Sequence, residues 1–580
     1  MRHFKFSSYS VLIGLVAAST TCRAADCKIT NYGTLPVEIV GNRATALLRV
    51  NGQETRFMLD TGASFNAMSQ STAGGLGLAR QPAPPGLVAK GMGGVFNVTV
   101  ATVKELGILG GSIPNVEFFV GGSDTGMPLL GSNILNAVDL DLDLAQGKLR
   151  LMKPVGCEKL SMAYWVTGGS YRAAKLYKSD KPRDQRSFVD VMINGKAVRA
   201  LLDTGAPVTL ISRRAAEGAG LNLAAPEVTE GPPAGGFGRA RYRTLIVPVQ
   251  SFAVGTETIQ NSKMQVVEGD MGDLKMLLGL DFIMAHHIFI ANSQKVMYFT
   301  YNGGRVFGLA KPPSAGALSP RQPADEKITA DDFALRGQAR LGRGELEAAL
   351  ADLDSAIRLA PNRASFHLAR ARAHIALVHP DAAMVDADKA IALDPVNFDA
   401  LLLRAGLHFR QKNQPAALDD VAAAQKLIQP GSSQSRAIAS FYVANNQPTL
   451  ALPILDRWVS LHGQDVGLGS ALNARCWARG LANQQPELAL DDCNKAIKRD
   501  GAVADYLDSL GLVFLRLKRH DDAIKAYSAA VDKAPASAVS RYGLGLAKVR
   551  RGQFDAGNAD IAAAKAMEPK VEELFVTYGI

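Results

Sequence analysis

The chain has 580 residues, a formal net charge of +10, and 47% hydrophobic against 20% charged residues. That length exceeds what one hydrophobic core supports, and it predicts three or four domains of ordinary globular composition. The positive charge is spread without a long basic run, which argues against nucleic-acid binding and leaves only a general attraction to anionic surfaces.

Residues 1–24 read as a secretory signal. Arg2, His3 and Lys5 make a basic start, Val11–Ala18 is a short apolar run, and Cys22-Arg23-Ala24 places small residues around a cut. The run is too short to span a bilayer comfortably. Acylation of Cys22 is the alternative, although Ser19-Thr20-Thr21 lacks the apolar residue such a signal usually carries. No other stretch approaches a transmembrane length, so the expectation is a soluble, exported protein, periplasmic or secreted. Disulfides persist in those compartments. Without Cys22, four cysteines remain, and they allow three pairings. Cys27 and Cys157 bracket one β-rich segment while Cys476 and Cys493 share one helical repeat, so the expected bridges are Cys27–Cys157 and Cys476–Cys493. Four buried thiols are the alternative; zinc fits less well, because no Cys-x-x-Cys or clustered histidine accompanies them. No metal and no cofactor are expected.

From Val37 to Leu151, short β-rich runs such as Val116–Val120 alternate with Gly, Asn and Pro, the pattern of an all-β lobe. Phe188 to Leu309 repeats it, with Phe289-Ile290 and Val296–Phe299 as late strands. Residues 158–187, rich in Lys, Arg, Ser and Gly, read as a loose connector.

The two lobes share four features in one order. Phe57-Met58-Leu59-Asp60-Thr61-Gly62-Ala63-Ser64 returns as Ala200-Leu201-Leu202-Asp203-Thr204-Gly205-Ala206-Pro207. Asn51-Gly52 and Asn194-Gly195 stand equally far ahead, as the turn of a hairpin feeding each Asp strand. Glycine-rich patches follow, Gly91-Met92-Gly93-Gly94 and Gly235-Gly236-Phe237-Gly238, and then Leu129-Leu130-Gly131 and Leu277-Leu278-Gly279. A single Asp-Thr-Gly suits any strand that ends in a tight turn. The doubled order predicts two homologous β lobes, each delivering one carboxylate.

Residues 37–310 therefore resemble the aspartic proteases, and the Asp-Thr-Gly-Ala wording is similar to the retropepsin-like group, here as a single chain with two lobes. The resemblance implies that Asp60 and Asp203 form a dyad sharing one proton: one carboxylate takes a proton from water while the other donates to the carbonyl oxygen. Their pKa values split, because two like charges so close cannot both ionise easily. It further implies that Thr61 and Thr204 hydrogen-bond across the lobe interface. Gly62 and Gly205 leave room for backbone groups near the carboxylates. Flaps carrying Gly93, Gly94, Gly235 and Gly236 close over the substrate, without the tyrosine of pepsin-like flaps. Ala63 and Ala206 stand where pepsin-like members commonly carry Ser or Thr; with fewer donors the carboxylates hold a higher pKa, and activity moves toward neutral pH. Arg239, Arg241 and Arg243 alternate on one face of a flap strand, as a selector of acidic side chains or as a solvated edge. His286-His287 reads as a loop or core pair.

Residues 311–324 have the Pro/Gly/Ser/Ala composition of a hinge. Beyond them come alanine-rich amphipathic helices. Pro361 and Pro395 are 34 residues apart, as are Pro535 and Pro569. The period resembles tetratricopeptide repeats. The best copy has Leu510, Gly511, Phe514, Ala523, Tyr527, Ala530 and Pro535 in frame, and Arg336-Gly337, Ala349, Ala356 and Pro361 fit more loosely. About seven repeats are expected, irregular between Gly431 and Asp500. A stack of this kind offers a concave surface to peptides or partner proteins and no acid–base constellation of its own.

The expected organisation is a signal at 1–24, an all-β bilobal acid-protease fold from lobes at 25–157 and 188–310 joined by 158–187, a linker at 311–324, and an all-α repeat solenoid at 325–580. The expected function is an exported aspartic endopeptidase whose repeats recruit a protein substrate or partner and are free to move on the linker. The alternative is a peptide-binding scaffold that keeps the fold without turnover.

Overall fold

The computed structural model describes residues 27–307, except 41, 86, 123–126, 167–169, 180, 182–183, 237–240 and 304–305, and residues 328–580, except 429–430, 464 and 466. The expected signal with Cys22, the linker at 311–324, and Phe237, Gly238 and Arg239 lie outside the described residues. The chain forms two compact units, one of residues 1–68, 76–121 and 127–395, with most of both β lobes and the first helices, the other of residues 69–75, 122–126 and 396–580.

Each lobe is organised around a hairpin. Arg43–Val50 and Gln53–Leu59 pair antiparallel through Asn51 and Gly52, whose φ angles are 50° and 85°. Ser187–Ile193 and Lys196–Leu202 do the same through Asn194 and Gly195, at 48° and 79°. Two consecutive left-handed residues make the turn whose twist matches its flanking strands, and Asn-Gly tolerates it best. The two asparagines also act alike beyond the turn: Glu105 N–H donates to Asn51 Oδ1 and Ser251 N–H to Asn194 Oδ1, both at 3.0 Å. The Leu-Leu-Gly segments then enter in parallel, Leu129-Leu130 beside Met58-Leu59 and Met276–Leu278 beside Ala200–Leu202.

A shared sheet joins the lobes. Asp139–Asp143 pairs antiparallel with His286–Ala291, Leu140 opposite Ile290. Lys148–Val155 and Lys28–Pro36 extend it on one side, Val296–Tyr301 and Arg172–Lys178 on the other. The segment expected as a loose connector thus supplies a strand. Only Ala174 and Leu176 of Arg172–Lys178 are buried, so its alternation is short and hidden among Lys and Arg. Cys27 and Cys157 are bonded, with Cα atoms 4.6 Å apart, beside the ends of the Lys28–Pro36 and Lys148–Val155 strands. His286 and His287 are buried on a strand of this sheet. His286 lies 2.7 Å from the Phe282 carbonyl and 2.8 Å from Glu257, and His287 Nε2 lies 2.5 Å from Asp141 Oδ1.

Beyond Thr329 the chain is helical. Seven antiparallel helix pairs are described, from Ala330–Gly342 with Leu346–Leu359 to Ala538–Arg550 with Phe554–Met567, followed by Val571–Thr577. Small residues sit where helices approach. A Cβ on Gly511 would lie 2.7 Å from the Tyr527 ring and one on Gly543 2.4 Å from it, so the fully buried tyrosine fills both gaps. Cys476 and Cys493 link the first and second helix of one pair, as their repeat positions imply. The period also carries an ion-pair ladder that the proline spacing did not reveal. Arg336, Arg370 and Arg404 each reach the buried Asp352, Asp386 and Asp420 of their own pair, at 2.6, 2.7 and 2.6 Å.

The first repeat is seated on the first lobe. Thr329 and Asp332 form a capping box at the start of Ala330–Gly342, and Asp332 also meets Lys148 Nζ at 2.6 Å. A Cβ on Gly147 would lie 2.6 Å from Leu335 Cβ, and one on Gly342 2.8 Å from Ile39 Cγ2. The first repeat, expected from linker composition to move freely, instead packs on the first lobe. A flexible linker permits movement but cannot prevent apolar faces beyond it from packing.

Candidate active site

Both Asp-Thr-Gly turns lie at the ends of matched strands. The N–H of Asp60 donates to the Leu130 carbonyl and that of Asp203 to the Leu278 carbonyl, each at 3.0 Å. Gly131 and Gly279 must be bare for this, because a Cβ on either would fall 2.6 Å from the backbone of Phe65 or Val208. The threonines cross between the lobes. Thr61 Oγ1 donates to the Leu202 carbonyl and Thr204 Oγ1 to the Leu59 carbonyl, both at 2.8 Å. In return, the N–H groups of Thr204 and Thr61 donate to the opposite hydroxyl at 3.1 Å. Both threonines are buried. Four mutually satisfied bonds in a dry interface make a rigid clamp.

The clamp sets the carboxylates face to face. A Cβ on Gly62 would meet Asp203 Cγ at 2.3 Å, and one on Gly205 would meet Asp60 Cγ at 2.4 Å. The room these glycines leave is therefore taken by the opposing carboxylate rather than by backbone groups. Asp60 Oδ1 accepts from the N–H groups of Gly62 and Ala63 at 2.9 and 2.8 Å, and Asp203 Oδ1 from those of Gly205 and Ala206 at 2.9 and 3.1 Å. Ala63 and Ala206 contribute no hydroxyl, so these backbone donors act alone within each turn. Burial, reinforced by the charge of Asp203, holds Asp60 well above the usual carboxylate range. Burial also raises Asp203, against the pull of its backbone donors. The pair as a whole retains a proton that a lone carboxylate would release.

Two hairpin tips meet within this unit. Val88–Gly91 and Gly94–Asn97 form the first, turning through Met92 and Gly93, with Gly94 at φ 104°. Thr229–Gly235 and the start of Arg241–Val254 form the second. A Cβ on Gly236 would lie 3.2 Å from Met92 Cβ, and Met92 packs against buried Ala206, Ala234 and Leu277 of the second lobe. Gly93, Gly94, Gly235 and Gly236 thus belong to these two tips. Tyr242, on the second hairpin, packs on Gly269 and the same apolar cluster. Arg243 pairs with Glu230 along the strand at 3.2 Å.

The sequence reading missed two arginines. Arg43 and Arg186 each stand 17 positions before their aspartate (43 to 60, 186 to 203), a fifth matched feature that was legible in the duplication. Arg186 forks onto Asp184 at 2.9 and 2.7 Å, and Ser64 Oγ of the first lobe donates to the same Asp184 at 3.2 Å. Among the described residues, no group of three or more His, Cys, Asp or Glu is placed to hold a metal ion, and no helix is long and apolar enough to cross a membrane.

Residues 46–137 match the gag-polyprotein aspartyl protease family, residues 189–282 an aspartyl protease family, and residues 379–432 and 481–538 the tetratricopeptide repeat family. The chain joins two aspartyl-protease lobes to tetratricopeptide repeats. No curated protein matches this protease–repeat chain. Solved structures similar to it include YrrB, a repeat protein with an unusual peptide-binding site, at 21% identity over 32% of this chain and 92% of that one, TM-score 0.27. A tetratricopeptide repeat protein from Parabacteroides merdae matches at 13% identity over 43% and 99%, TM-score 0.36. PilW, a type IV pilus biogenesis factor, matches at 15% identity over 37% and 97%, TM-score 0.31. Likenesses of this extent carry no argument about function.

Proposed function

We propose that the chain is an exported aspartic endopeptidase in which Asp60 and Asp203 activate water, with protease lobes at 25–157 and 188–310 and repeats from 325 onward that recruit a protein substrate or partner. The observation that supports it best is the opposed carboxylate pair held by the Thr61–Thr204 clamp. One proton shared by two carboxylates supplies both halves of acid–base catalysis. The ionised member takes a proton from water, whose oxygen bonds to the peptide carbonyl carbon, while the protonated member gives its proton to the carbonyl oxygen. Collapse of the tetrahedral species breaks the C–N bond, and the amine leaves with a proton returned from the dyad. The touching hairpin tips supply a cover that excludes water from the bound peptide.

Export rests on the expected signal at 1–24, and the two disulfides are compatible with it. Recruitment by the repeats rests on the general habit of such stacks to bind peptides and proteins.

The test is hydrolysis of an unfolded protein by the purified chain across pH, with and without a pepstatin-like inhibitor. Asp60→Asn and Asp203→Asn should each reduce cleavage by about a thousandfold or more while leaving the fold intact. Without a neighbouring hydroxyl on either Asp, the optimum should lie above about pH 5, and Ala63→Thr with Ala206→Thr should move the acidic limb down. Near-normal turnover in either Asn variant would overturn the dyad.

A further inference from the structure

The segment after the seventh helix pair reaches further than a cap requires. Val571–Thr577 sets Val571 and Phe575 against Tyr542 and Ala564 of that pair, with the Tyr542 and Phe575 ring centroids 4.7 Å apart. Covering the open face of a stack needs no more than this. The helix then closes through Gly579, at φ 68°. The Gly579 N–H donates to the Val576 carbonyl at 3.0 Å and the Ile580 N–H to the Phe575 carbonyl at 3.2 Å, a Schellman arrangement. This closure turns residues 577–580 toward the three preceding pairs.

Each of those pairs supplies a contact. In the fourth pair, Ser433–Ala444 with Pro448–Leu461, the turn residue Asn446 donates from Nδ2 to the Thr577 carbonyl at 3.4 Å. In the fifth, Trp477 on Leu468–Ala482 meets Tyr578 edge to face, with centroids 5.5 Å apart and planes at 89°. In the sixth, Arg516 at the end of Ala504–Arg516 donates from Nη1 to the Gly579 carbonyl at 2.9 Å and from Nη2 to the Tyr578 carbonyl. Arg516 is itself held in place, because its Nε donates to the Gly480 carbonyl at 2.9 Å and its Nη2 to the Leu481 carbonyl at 3.3 Å. Ile580 packs on the cluster of Phe514, Leu515 and Leu544.

The hold is wide and shallow. Glu572, Glu573, Val576, Thr577 and Gly579 stay exposed, and the polar contacts from the preceding pairs go to main-chain carbonyls, which any peptide offers. A segment with few buried apolar contacts lies at the low-stability end of a fold. Main-chain donors, an aromatic slot and an aliphatic slot, drawn from successive pairs, are also the parts with which a helical stack holds a peptide.

We infer that residues 577–580 are a resident ligand of the repeats and occupy the face that recruits partners in the function proposed above. The partner this face fits is a protein segment with an aromatic, a small and an aliphatic residue in succession, as in Tyr578-Gly579-Ile580. The inference rests on the recruitment reading and adds its regulation. The tethered segment has the higher effective concentration, so the face stays filled until a partner segment replaces it.

The test is fluorescence anisotropy of a labelled peptide of residues 571–580 with the full chain. Tyr578→Ala with Ile580→Ser in the chain should tighten peptide binding by about tenfold or more, since a larger fraction of the face is then free. Adding Arg516→Gln to that variant should abolish the gain, and a peptide carrying the same Tyr578→Ala and Ile580→Ser changes should not bind. Equal peptide binding by the parent and the loosened chain, or a gain that survives Arg516→Gln, would overturn the inference. Hydrogen exchange of the unaltered chain needs no variant to fold. Amides of 571–580 should exchange much faster than those of Ala538–Arg550 and Phe554–Met567, and equal protection would make the segment a fixed cap and overturn the inference. Cleavage separates this from the recruitment reading. Appending residues 571–580 to an unfolded protein substrate should raise its kcat/KM in the loosened chain and not in the parent. Tighter peptide binding without that rise would leave the resident ligand standing while recruitment for cleavage fails.

Discussion

Gly62 lies so close to Asp203 that a methyl group added to it would sit 2.3 Å from the Asp203 carboxylate carbon, and the reciprocal distance from Gly205 to Asp60 is 2.4 Å. The glycine of each turn is therefore defined by the other lobe's acid. Gly62→Ala or Gly205→Ala cannot be absorbed by a flexible tip, because the clamp fixes the turn on one side and the backbone donors fix the carboxylate on the other. Each should cost about 1–3 kcal/mol as overpacking and slow peptide cleavage by about a hundredfold or more through misplacement of the dyad. Denaturant titration and kcat/KM on one short peptide check both. A variant of normal activity would show that the carboxylates can separate without loss.

The Thr61–Thr204 clamp predicts coupled rather than additive losses. Thr61→Val removes a donor to the Leu202 carbonyl and the acceptor of the Thr204 N–H, both buried. Each single Val variant should lose about 1–3 kcal/mol. The double variant should lose clearly less than the sum, because the two residues share one network. Strict additivity in a denaturant double-mutant cycle would refute a single clamp.

The sheet between the lobes carries a pH dependence of known sign. Burial raises Asp141, but His287, Arg150 and Tyr164 together outweigh it and hold the carboxyl at about 2. Burial lowers His287, but Asp141 and Asp143 outweigh it and raise the imidazole above its usual 6.5. The Asp141 contribution is present above its usual 3.8 and is lost as pH falls through about 2. The His287 contribution is full below 6.5 and is lost as pH rises through the elevated value. The dyad acts oppositely, since its raised carboxyls cost stability as pH rises above 3.8. The difference in Tm between the parent and His287→Gln isolates the histidine. It should be largest between about pH 4 and 6.5 and shrink above that window. A difference that grows toward alkaline pH would contradict the pairing.

Seating of the first repeat changes what truncation should do. A chain ending after Pro395 keeps the whole first unit, including the Lys148–Asp332 pair and Leu335 over Gly147. It should turn over a short peptide like the full chain and lose efficiency only on a protein substrate recruited by the repeats it lacks. A chain ending after residue 310 uncovers Ile39 and Gly147 and should have a Tm lower by several degrees, as a loss of about 1–2 kcal/mol implies. Equal Tm values for the two truncations would show that the first repeat adds nothing to the lobe.

Much of this protein is legible without coordinates, because duplication repeats its own signals. Two Asn-Gly turns, two Asp-Thr-Gly-Ala turns and two Leu-Leu-Gly segments in one order determine two β lobes with one acid each, since each motif prescribes a local backbone geometry. The 34-residue proline period determines helix pairs in the same way. Local geometry does not say what lies across an interface. That Gly62 makes room for Asp203, that Ser64 braces the counterion of Arg186, and that Arg172–Lys178 completes a sheet were decided by tertiary structure alone. In each case a partner lies more than a hundred residues away, and only the folded chain brings it within a few ångströms.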